Sequence, residues 1–222
     1  MITAMRWASV GLFVVSLARS SFAYCLPPPP KTCNLYFSSD VVFVGKVVKY
    51  SRTDDWEYER YDLQVSRVLK GSVGRSTTVF TGNDTGRVIW GVGESYVVFA
   101  FRENGRLLAG DGCGDQSDPN RKATFLREIA AVKRAKTATI EGQVVRGWGD
   151  GSGIQGFSIG VSRGSTQYAT KSDKDGQFSI RVPVGEYRIL VNPEFVLPHD
   201  RKSVGRLKLV AGQCAQFQFR AP

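Results

Sequence analysis

Residues Asp40–Tyr50 read DVVFVGKVVKY, and Tyr58–Leu69 read YERYDLQVSRVL. The first stretch is rich in β-branched residues, and the second alternates, with Tyr61, Leu63 and Val65 on one side. Both patterns are typical of β-strands. Turns that contain Gly, Asn or Asp separate three further predicted strands, at residues 79–81, 96–101 and 106–109. We therefore expect five consecutive strands in this half of the chain.

One helix is predicted after the fifth strand. Asp118 is a candidate N-cap, and Pro119 suits the first turn of a helix. Phe125 and Ile129 follow at helical spacing. Together these signals predict a helix over about 119–136. A helix that closes a five-strand segment predicts a small barrel with a helix at its end.

After Thr137 the sequence changes to short, evenly spaced strands with no helical pattern between them. Such spacing indicates a β-sandwich. The predicted strands are residues 140–146, 157–162, 177–182, 187–191, 206–210 and 214–219. The chain is therefore predicted to be mainly β, with a barrel domain at 24–136 and a sandwich domain at 137–222.

The N-terminal residues indicate export. An apolar stretch, Trp7–Ala18, follows Arg6, and Ser21 and Ala23 are small residues at the −3 and −1 positions of a signal-peptidase site. The apolar stretch is shorter than the roughly 20 residues that a transmembrane helix needs. We therefore expect residues 1–23 to be a cleaved signal peptide, and the mature protein to be extracytoplasmic, either periplasmic or secreted.

Export also affects the interpretation of the four cysteines. In an oxidising compartment we expect two disulfides, in one of three possible pairings of Cys25, Cys33, Cys113 and Cys214. No two cysteines have the two-residue spacing of a zinc knuckle, and His199 is the sole histidine. The residues therefore favour disulfides over a metal site, and we expect neither a metal nor another cofactor.

Two segments carry resemblances to known families. CLPPPPKTCNLYFSSDVVFVGKVV, followed by YDLQVSRVLKG, GVGESYVVFAF and LLAGDGCG, resembles the netrin-like module over about residues 24–136. That family includes the tissue inhibitors of metalloproteinases, and the resemblance implies an OB-type five-strand barrel with a flanking helix. IEGQVV, followed by SDKDGQFSIRVPVGEYRILV at 172–191, is similar to the carboxypeptidase regulatory-like domain. This second resemblance implies a transthyretin-like seven-strand sandwich.

The netrin-like resemblance also implies a disulfide pairing. In that family a cysteine at the chain start is bonded to one in the last barrel strand. Cys25, which precedes four prolines, and Cys113 occupy the matching places. This pairing leaves Cys33 to bond with Cys214, and such a bond would join the barrel to the final strand of the sandwich.

Three motifs are interpreted as structural. DKDG at 173–176 lacks the ligands of a calcium loop, so we expect a tight turn. Pro183–Gly185 is predicted to be a hairpin turn. GSGIQG at 151–156 matches the G-x-G-x-x-G of dinucleotide sites, but a strand follows it where such sites have a helix. Residues 148–156 are therefore expected to form a flexible loop between strands.

Few residues suit catalysis. His199 lies in a predicted loop, and no nucleophile elbow is predicted, because no helical pattern follows a strand in the second half of the chain. The acidic pairs Asp54–Asp55, beside Trp56, and Asp111 with Asp115 are interpreted as polar turns. We therefore expect no catalytic residue and no enzyme activity.

The charge of the chain suggests the kind of partner. With 30 Lys+Arg and 20 Asp+Glu, the formal net charge is +10 at pH 7. Residues 1–23 contain Arg6 and Arg19 and no acidic residue, so the mature chain would carry +8. This charge favours a protein, an anionic envelope component or an acidic polysaccharide as partner. Nucleic acid is disfavoured because the chain is expected to be exported and its basic residues are spread out.

Two function classes remain. The first is a non-enzymatic binding or interaction protein of the cell envelope or extracellular space, with the barrel as ligand surface and the sandwich as spacer. The second, implied by the netrin-like resemblance, is a protease inhibitor. Inhibitors of that family bind a metal through the amine and carbonyl of an N-terminal cysteine, whereas Tyr24 precedes Cys25 here. Sequencing the mature N-terminus discriminates between the two classes.

Overall fold

The computed structural model describes residues 30–54, 56–84, 86–110, 116–147, 151–190 and 205–221. The helices in these ranges are α1 (Thr32–Ser38) and α2 (Lys122–Arg134), and a 3-10 turn at Pro119–Arg121 precedes α2. Neither helix has the length and apolar character needed to cross a membrane. The predicted signal peptide, residues 1–23, lies outside the described residues.

The first five strands form a closed barrel. They are β1 (Val41–Arg52), β2 (Tyr58–Lys70), β3 (Ser76–Gly82), β4 (Ser95–Glu103) and β5 (Arg106–Ala109). Their order around the barrel is β1-β2-β3-β5-β4, and β3 and β5 are the one parallel pair among these neighbours. The predicted OB-type five-strand barrel is therefore confirmed.

The apolar run at the start of β1 is buried on both sides. Val41 and Phe43 lie in the barrel core, whereas Val42 and Val44 face outward and pack beneath the helices. Because both faces are covered, this strand shows a continuous apolar run and no alternation. The residues that the helices contribute to the outer cluster are Leu35, Phe125, Ile129 and the half-buried Tyr36 and Leu126.

Helix α1 was not predicted from the sequence. It has seven residues, and its N-cap residue, Lys31, makes no side-chain capping bond. Its C-terminal end is instead held by Lys70 of β2, whose Nζ donates to the carbonyls of Tyr36 (2.8 Å) and Phe37 (3.1 Å). Such a cation neutralises the negative end of the helix dipole. Burial lowers the pKa of Lys70 from its ordinary value.

The remaining seven strands form two sheets. They are β6 (Ala138–Arg146), β7 (Ser158–Arg163), β8 (Thr166–Lys171), β9 (Gln177–Val182), β10 (Gly185–Leu190), β11 (Leu207–Leu209) and β12 (Cys214–Ala221). One sheet has the order β11-β10-β7-β8 and the other β12-β6-β9. Their apolar faces share one core that includes Ile140, Ile159, Phe178 and Tyr187. The predicted sandwich class is confirmed, and β8 is the strand that the sequence analysis missed.

The connection Pro183–Gly185 is not a hairpin turn. β9 pairs with β6, whereas β10 pairs with β7 and β11, so the connection crosses from one sheet to the other. The Tyr187 hydroxyl donates to the Pro183 carbonyl at 2.7 Å and fixes this corner. A short Pro-x-Gly connection suits both a hairpin and a corner, and only the sheet order distinguishes them.

The DKDG motif forms the expected turn. One carboxylate oxygen of Asp173 accepts hydrogen bonds from the backbone N–H groups of Asp175 (2.9 Å) and Gln177 (2.8 Å). Gly176 has φ +74°, a conformation that favours glycine. The motif therefore ends one strand and starts the next as a tight turn.

Backbone hydrogen bonds attach the glycine-rich segment to neighbouring parts of the sandwich. The backbone N–H of Ile154 donates to the Val144 carbonyl, and that of Gly156 donates to the Ser172 carbonyl, both at 2.9 Å. These bonds attach residues 151–156 to β6 and to Ser172, which directly precedes the DKDG turn. These residues connect β6 to β7, as expected of a loop between strands, its flexibility stays a prediction, and residues 148–150 lie outside the described ranges.

Within the described residues, two covalent links join the barrel to the sandwich. Residues 135–137 connect α2 to β6, and the predicted boundary at 137 lies in this segment. A disulfide joins Cys33 of α1 to Cys214 of β12, with a Cα–Cα distance of 5.6 Å. The Cys33–Cys214 pairing is thereby confirmed, whereas Cys25 and Cys113 lie outside the described residues. The division into two domains stays a prediction.

Candidate binding site on the barrel

The outer surface of the barrel has two parts. The helices pack on β1 and β4, whereas within the described residues no helix packs on the surface formed by the start of β2, β3 and β5. Strand alternation directs Tyr61 and Val79 into the core. The positions of opposite parity, Tyr58, Phe80 and Arg106, therefore face outward. The parallel pairing of β3 with β5 places Phe80 beside Leu108 and brings the three side chains together.

These three side chains form an aromatic–cation cluster. The Arg106 guanidinium lies 5.6 Å from the ring centroid of Tyr58 and 5.1 Å from that of Phe80. Each such contact contributes about 0.5–1 kcal/mol at an exposed site. The cluster borders a pocket of about 290 Å³, which is lined by Tyr58, Glu103, Asn104, Arg106 and Leu108.

A tight turn sets the position of the charged side chains. Asn104 and Gly105 join β4 to β5, and both have positive φ, +48° and +77°. This is the geometry of a two-residue type I′ hairpin, which favours the Asn-Gly sequence found here. The turn pairs Glu103 with Arg106 across the hairpin. A carboxylate and a guanidinium are thereby held at the same edge of the pocket.

The loop between β1 and β2 contributes an exposed indole. Trp56 is 78% exposed and lies two residues before Tyr58 in the sequence. Its backbone is fixed, because the Asn83 side-chain amide donates to the Trp56 carbonyl at 2.9 Å. In OB-type barrels, this loop, the β4–β5 loop and the β2–β3 face form the usual ligand surface. Trp56 and the pocket therefore belong to one candidate surface.

Farther along the same face of the barrel, Arg60 and Asp62 form an ion pair. Asp62 Oδ1 accepts hydrogen bonds from the Thr78 hydroxyl (2.7 Å) and from Arg60 Nη2 (2.9 Å). The Thr78 hydrogen bond first, and Arg60 in addition, lower the pKa of the Asp62 carboxyl. Asp62 therefore stays ionised and balances the charge of Arg60.

A buried acid lies beneath this surface. Glu59 points into the barrel and accepts hydrogen bonds from the hydroxyls of Tyr50 (3.1 Å) and Tyr61 (3.3 Å). Its Oε2 atom is 4.0 Å from Arg87 Nε. Burial, with the Glu59 charge in addition, raises the pKa of Tyr61 to about 12. Glu59 is closed off from solvent, so it anchors the start of β2 and is poorly placed to meet a substrate.

The sandwich contains a larger but less suitable pocket. It has a volume of about 420 Å³ and is lined by Ser162, Gly164, Glu186, Tyr187, Arg188 and Arg206. Tyr187 is 1% exposed and belongs to the sandwich core, so its ring offers no stacking surface. The smaller barrel pocket is lined by the half-buried ring of Tyr58 and by the exposed Arg106, and it is the better candidate.

Most candidates that the sequence analysis considered for chemistry lie outside the described residues. These are Asp55, Asp111, Asp115 and His199. Tyr24 and Cys25, on which the inhibitor hypothesis depends, also lie outside them. Asp54 is exposed beside Trp56, as expected of a polar turn. The prediction of no catalytic residue stays a prediction.

The barrel cluster was missed by the sequence analysis. Tyr58, Phe80 and Arg106 are far apart in the sequence, and only the β3–β5 pairing brings them together. A usable signal was present, because each residue has the parity opposite to the core positions of its strand. Large aromatic side chains on the solvent side of a strand are informative, since polar residues are the default there.

Comparisons with known proteins give no family assignment. No family model and no curated protein sequence matches the chain. Among solved structures, the chain is similar to the Bacillus anthracis TIE protein. The identity is 10%, the match covers 83% of this chain and 35% of that chain, and the TM-score is 0.29. It is also similar to a streptococcal ancillary pilin. Here the identity is 10%, the match covers 83% of this chain and 57% of that chain, and the TM-score is 0.26.

A DUF3823 family protein from Parabacteroides merdae is a third similar structure. The identity is 14%, the match covers 39% of this chain and 46% of that chain, and the TM-score is 0.26. In all three cases the match spans less than two thirds of the other protein. TM-scores of this size carry no functional argument, so the site is interpreted from its own geometry.

Proposed function

We propose that this chain is an exported, non-enzymatic binding protein of the cell envelope or extracellular space, whose barrel binds an anionic polysaccharide. The observation that carries the proposal is the Arg106 guanidinium held against the rings of Tyr58 and Phe80 at a solvent-facing pocket. The sandwich then serves as a spacer. The chain would be a netrin-like module followed by a carboxypeptidase regulatory-like domain, and the OB-type strand order supports the first of these assignments.

The chemistry of the pocket suits an acidic sugar. The apolar face of a sugar ring packs on aromatic side chains such as Tyr58 and Trp56. A guanidinium pairs with a carboxylate through two parallel hydrogen bonds, and its five donors serve more than one partner at once. Glu103 and Asn104 supply acceptors and a donor for sugar hydroxyls. The net charge of the chain adds long-range attraction to an anionic polymer.

A binding role is favoured over hydrolysis by the composition of the pocket. Glu103 is the one carboxylic acid among the described residues that line it. Glycoside hydrolysis ordinarily requires two carboxyl groups on opposite sides of the bond that breaks. An extracytoplasmic location is supported by the Cys33–Cys214 disulfide, because such bonds persist in oxidising compartments.

The proposal is tested by calorimetric titration of the mature chain with an oligogalacturonide and with a neutral malto-oligosaccharide of equal length. We expect binding of the acidic sugar, weakened by added salt, and much weaker binding of the neutral one. Arg106→Gln is expected to lower the affinity for the acidic sugar about tenfold, because a charge-assisted hydrogen bond is lost.

Arg188→Gln is the matched control. Arg188 lines the sandwich pocket, and its substitution removes the same charge from the chain. A loss of less than about twofold is expected for this variant. Equal losses in the two variants would mean that net charge alone attracts the sugar. Tighter binding of an oligonucleotide than of the acidic sugar, or release of shortened sugar chains, would also contradict the proposal.

A further inference from the structure

A second candidate site lies where α1 contacts the sandwich. The disulfide between Cys33 and Cys214 is adjacent to the carboxyl group of Glu141 on β6. The two sulfur atoms and a carboxylate oxygen all lie within 4.8 Å of one another. Three elements that are distant in the sequence thus bring two potential thiolates and a carboxylate to one point.

Glu141 is unusual for an acidic residue because it is buried and one of its carboxylate oxygens has no partner among the described residues. It is 7% exposed, and its Oε2 atom accepts a hydrogen bond of 2.6 Å from Lys31 Nζ. Its other oxygen, Oε1, is buried and has no hydrogen-bond partner among the described residues. An unpaired carboxylate oxygen in such a place is costly and is ordinarily satisfied. The disulfide itself gives no reason for a carboxylate here.

We propose that reduction of the Cys33–Cys214 disulfide converts this cluster into a zinc site, in which both thiolates and Glu141 bind the ion and a water completes the coordination. Zinc favours four-coordinate tetrahedral sites built from such ligands. Thiolate sulfurs around one zinc ion lie about 3.8 Å apart, given zinc–sulfur distances of about 2.3 Å. The Cα atoms are 5.6 Å apart, so side-chain rotation provides this separation without movement of the backbone.

The conversion balances in electrons, protons and charge. A dithiol reductant supplies two electrons and two protons, the S–S bond breaks, two thiols form, and the reductant becomes a disulfide. The metal ion then displaces both thiol protons. The two thiolates and the carboxylate together neutralise the zinc ion and the neighbouring Lys31 ammonium. The occupied site therefore has no net charge, which suits a largely buried position.

This site would keep the barrel attached to the sandwich under reducing conditions. In the oxidised chain the disulfide holds α1 against β12, together with hydrogen bonds from the Lys31 backbone N–H (2.8 Å) and the Asn34 side chain (3.1 Å) to Gln216 Oε1. In the reduced chain the metal ion would take over the role of the covalent bond. The same residues would thus provide two alternative clamps.

The test uses cobalt(II) as a spectroscopic probe for the zinc site. The mature chain is reduced with dithiothreitol, freed of reductant under anaerobic conditions and titrated with cobalt. We expect one equivalent to give a thiolate-to-metal charge-transfer band and the visible bands of a tetrahedral ion, both of which disappear when zinc is added. The oxidised chain is expected to give no such bands.

Variants show which residues bind the metal. Glu141→Gln preserves the shape of the side chain and is expected to weaken cobalt binding about tenfold or more. The double variant Cys33→Ser, Cys214→Ser is expected to lose the charge-transfer band, whereas Cys25→Ser, Cys113→Ser is expected to retain it. Near-ultraviolet circular dichroism confirms that each variant is folded. Absence of the bands in reduced wild type, an unchanged affinity in Glu141→Gln, or a band that follows Cys25 and Cys113 would overturn the proposal.

Discussion

The barrel and the sandwich place their aromatic side chains differently. In the sandwich, the large rings of Phe178, Tyr187 and Phe219 face the core. The barrel also has internal rings, but it leaves Tyr58 and Phe80 on an outer surface that no described helix covers, with Arg106 against them. In both units, strand alternation directs apolar side chains into the core and polar ones outward. An apolar ring at an outward position is therefore an exception that needs an explanation. This difference is the reason for our proposal that the barrel binds the ligand and the sandwich serves as a spacer.

The largest expected effect comes from removing the disulfide between the two units. Cys33→Ser, Cys214→Ser removes a disulfide that spans 181 residues of sequence. We expect the free energy of unfolding to fall by about 3–5 kcal/mol, because the unfolded chain gains conformational freedom. Urea denaturation followed by tryptophan fluorescence and far-ultraviolet circular dichroism measures the loss.

The same experiment tests the predicted division at residue 137. If the barrel and the sandwich are separate folding units, the two probes are expected to report different midpoints in the variant. Fluorescence reports on the barrel, because three ring contacts among its tryptophan and tyrosine side chains lie there. Coincident midpoints in the variant would mean that the two units fold as one.

A pair of glycine substitutions compares the two cores. A Cβ atom added at Gly142 of β6 would lie 1.8 Å from the Phe217 carbonyl oxygen, so the backbones of β6 and β12 would have to separate. A Cβ added at Gly45 of β1 meets only side-chain atoms, the nearest being a Phe43 ring carbon at 2.9 Å. We expect Gly142→Ala to cost about 3 kcal/mol or more of unfolding free energy and Gly45→Ala about 1 kcal/mol.

Thermal unfolding of the two variants checks this order. Equal shifts in the melting temperature would contradict the account of how tightly β12 packs on β6. A larger shift for Gly45→Ala would show that the barrel core tolerates added volume less well than the parallel β6–β12 pairing does.

A smaller, pH-dependent effect is expected in the barrel. The folded state raises the pKa of Tyr61 to about 12, above its ordinary value of 10.0. The folded chain therefore holds this proton more tightly than the unfolded chain does. The corresponding stability is fully present below pH 10 and is lost as the pH rises from 10 towards 12.

Ultraviolet titration of tyrosinate formation measures this effect. A phenol with a pKa of about 12 is expected in the wild type, and Tyr61→Phe is expected to remove it. A titration curve that is identical in the two proteins, apart from the loss of one ordinary tyrosine, would contradict the burial of the Tyr61 hydroxyl beside Glu59.

Much of the fold could be predicted because single strands carry their own signal. The alternation of β2 and the β-branched run of β1 are properties of neighbouring residues. Helix α1 escaped prediction because TCNLYFS has neither a helical apolar period nor a capping side chain, and Lys70 holds it from another element. β8, TQYATK, is a polar edge strand without the apolar alternation that identifies a strand.

The candidate site was less predictable for a different reason. Its three central residues lie on different strands, and their proximity depends on the order β2-β3-β5 within a closed barrel. The pattern of one strand contains no information about which strand lies beside it. The Asn104–Gly105 turn was recognisable as a turn, but its role in holding Glu103 and Arg106 at one pocket edge required the assembled barrel.

The most direct test of ligand binding by the barrel is a nuclear magnetic resonance titration of the isotope-labelled mature chain with an oligogalacturonide. We expect the backbone amide shifts to change at residues 56–60, 78–82 and 103–108, which surround the Tyr58–Phe80–Arg106 cluster. The shifts of residues 160–164 and 185–188, around the sandwich pocket, are expected to stay unchanged. Shift changes concentrated at the sandwich pocket, or spread evenly over basic side chains of both units, would contradict this expectation.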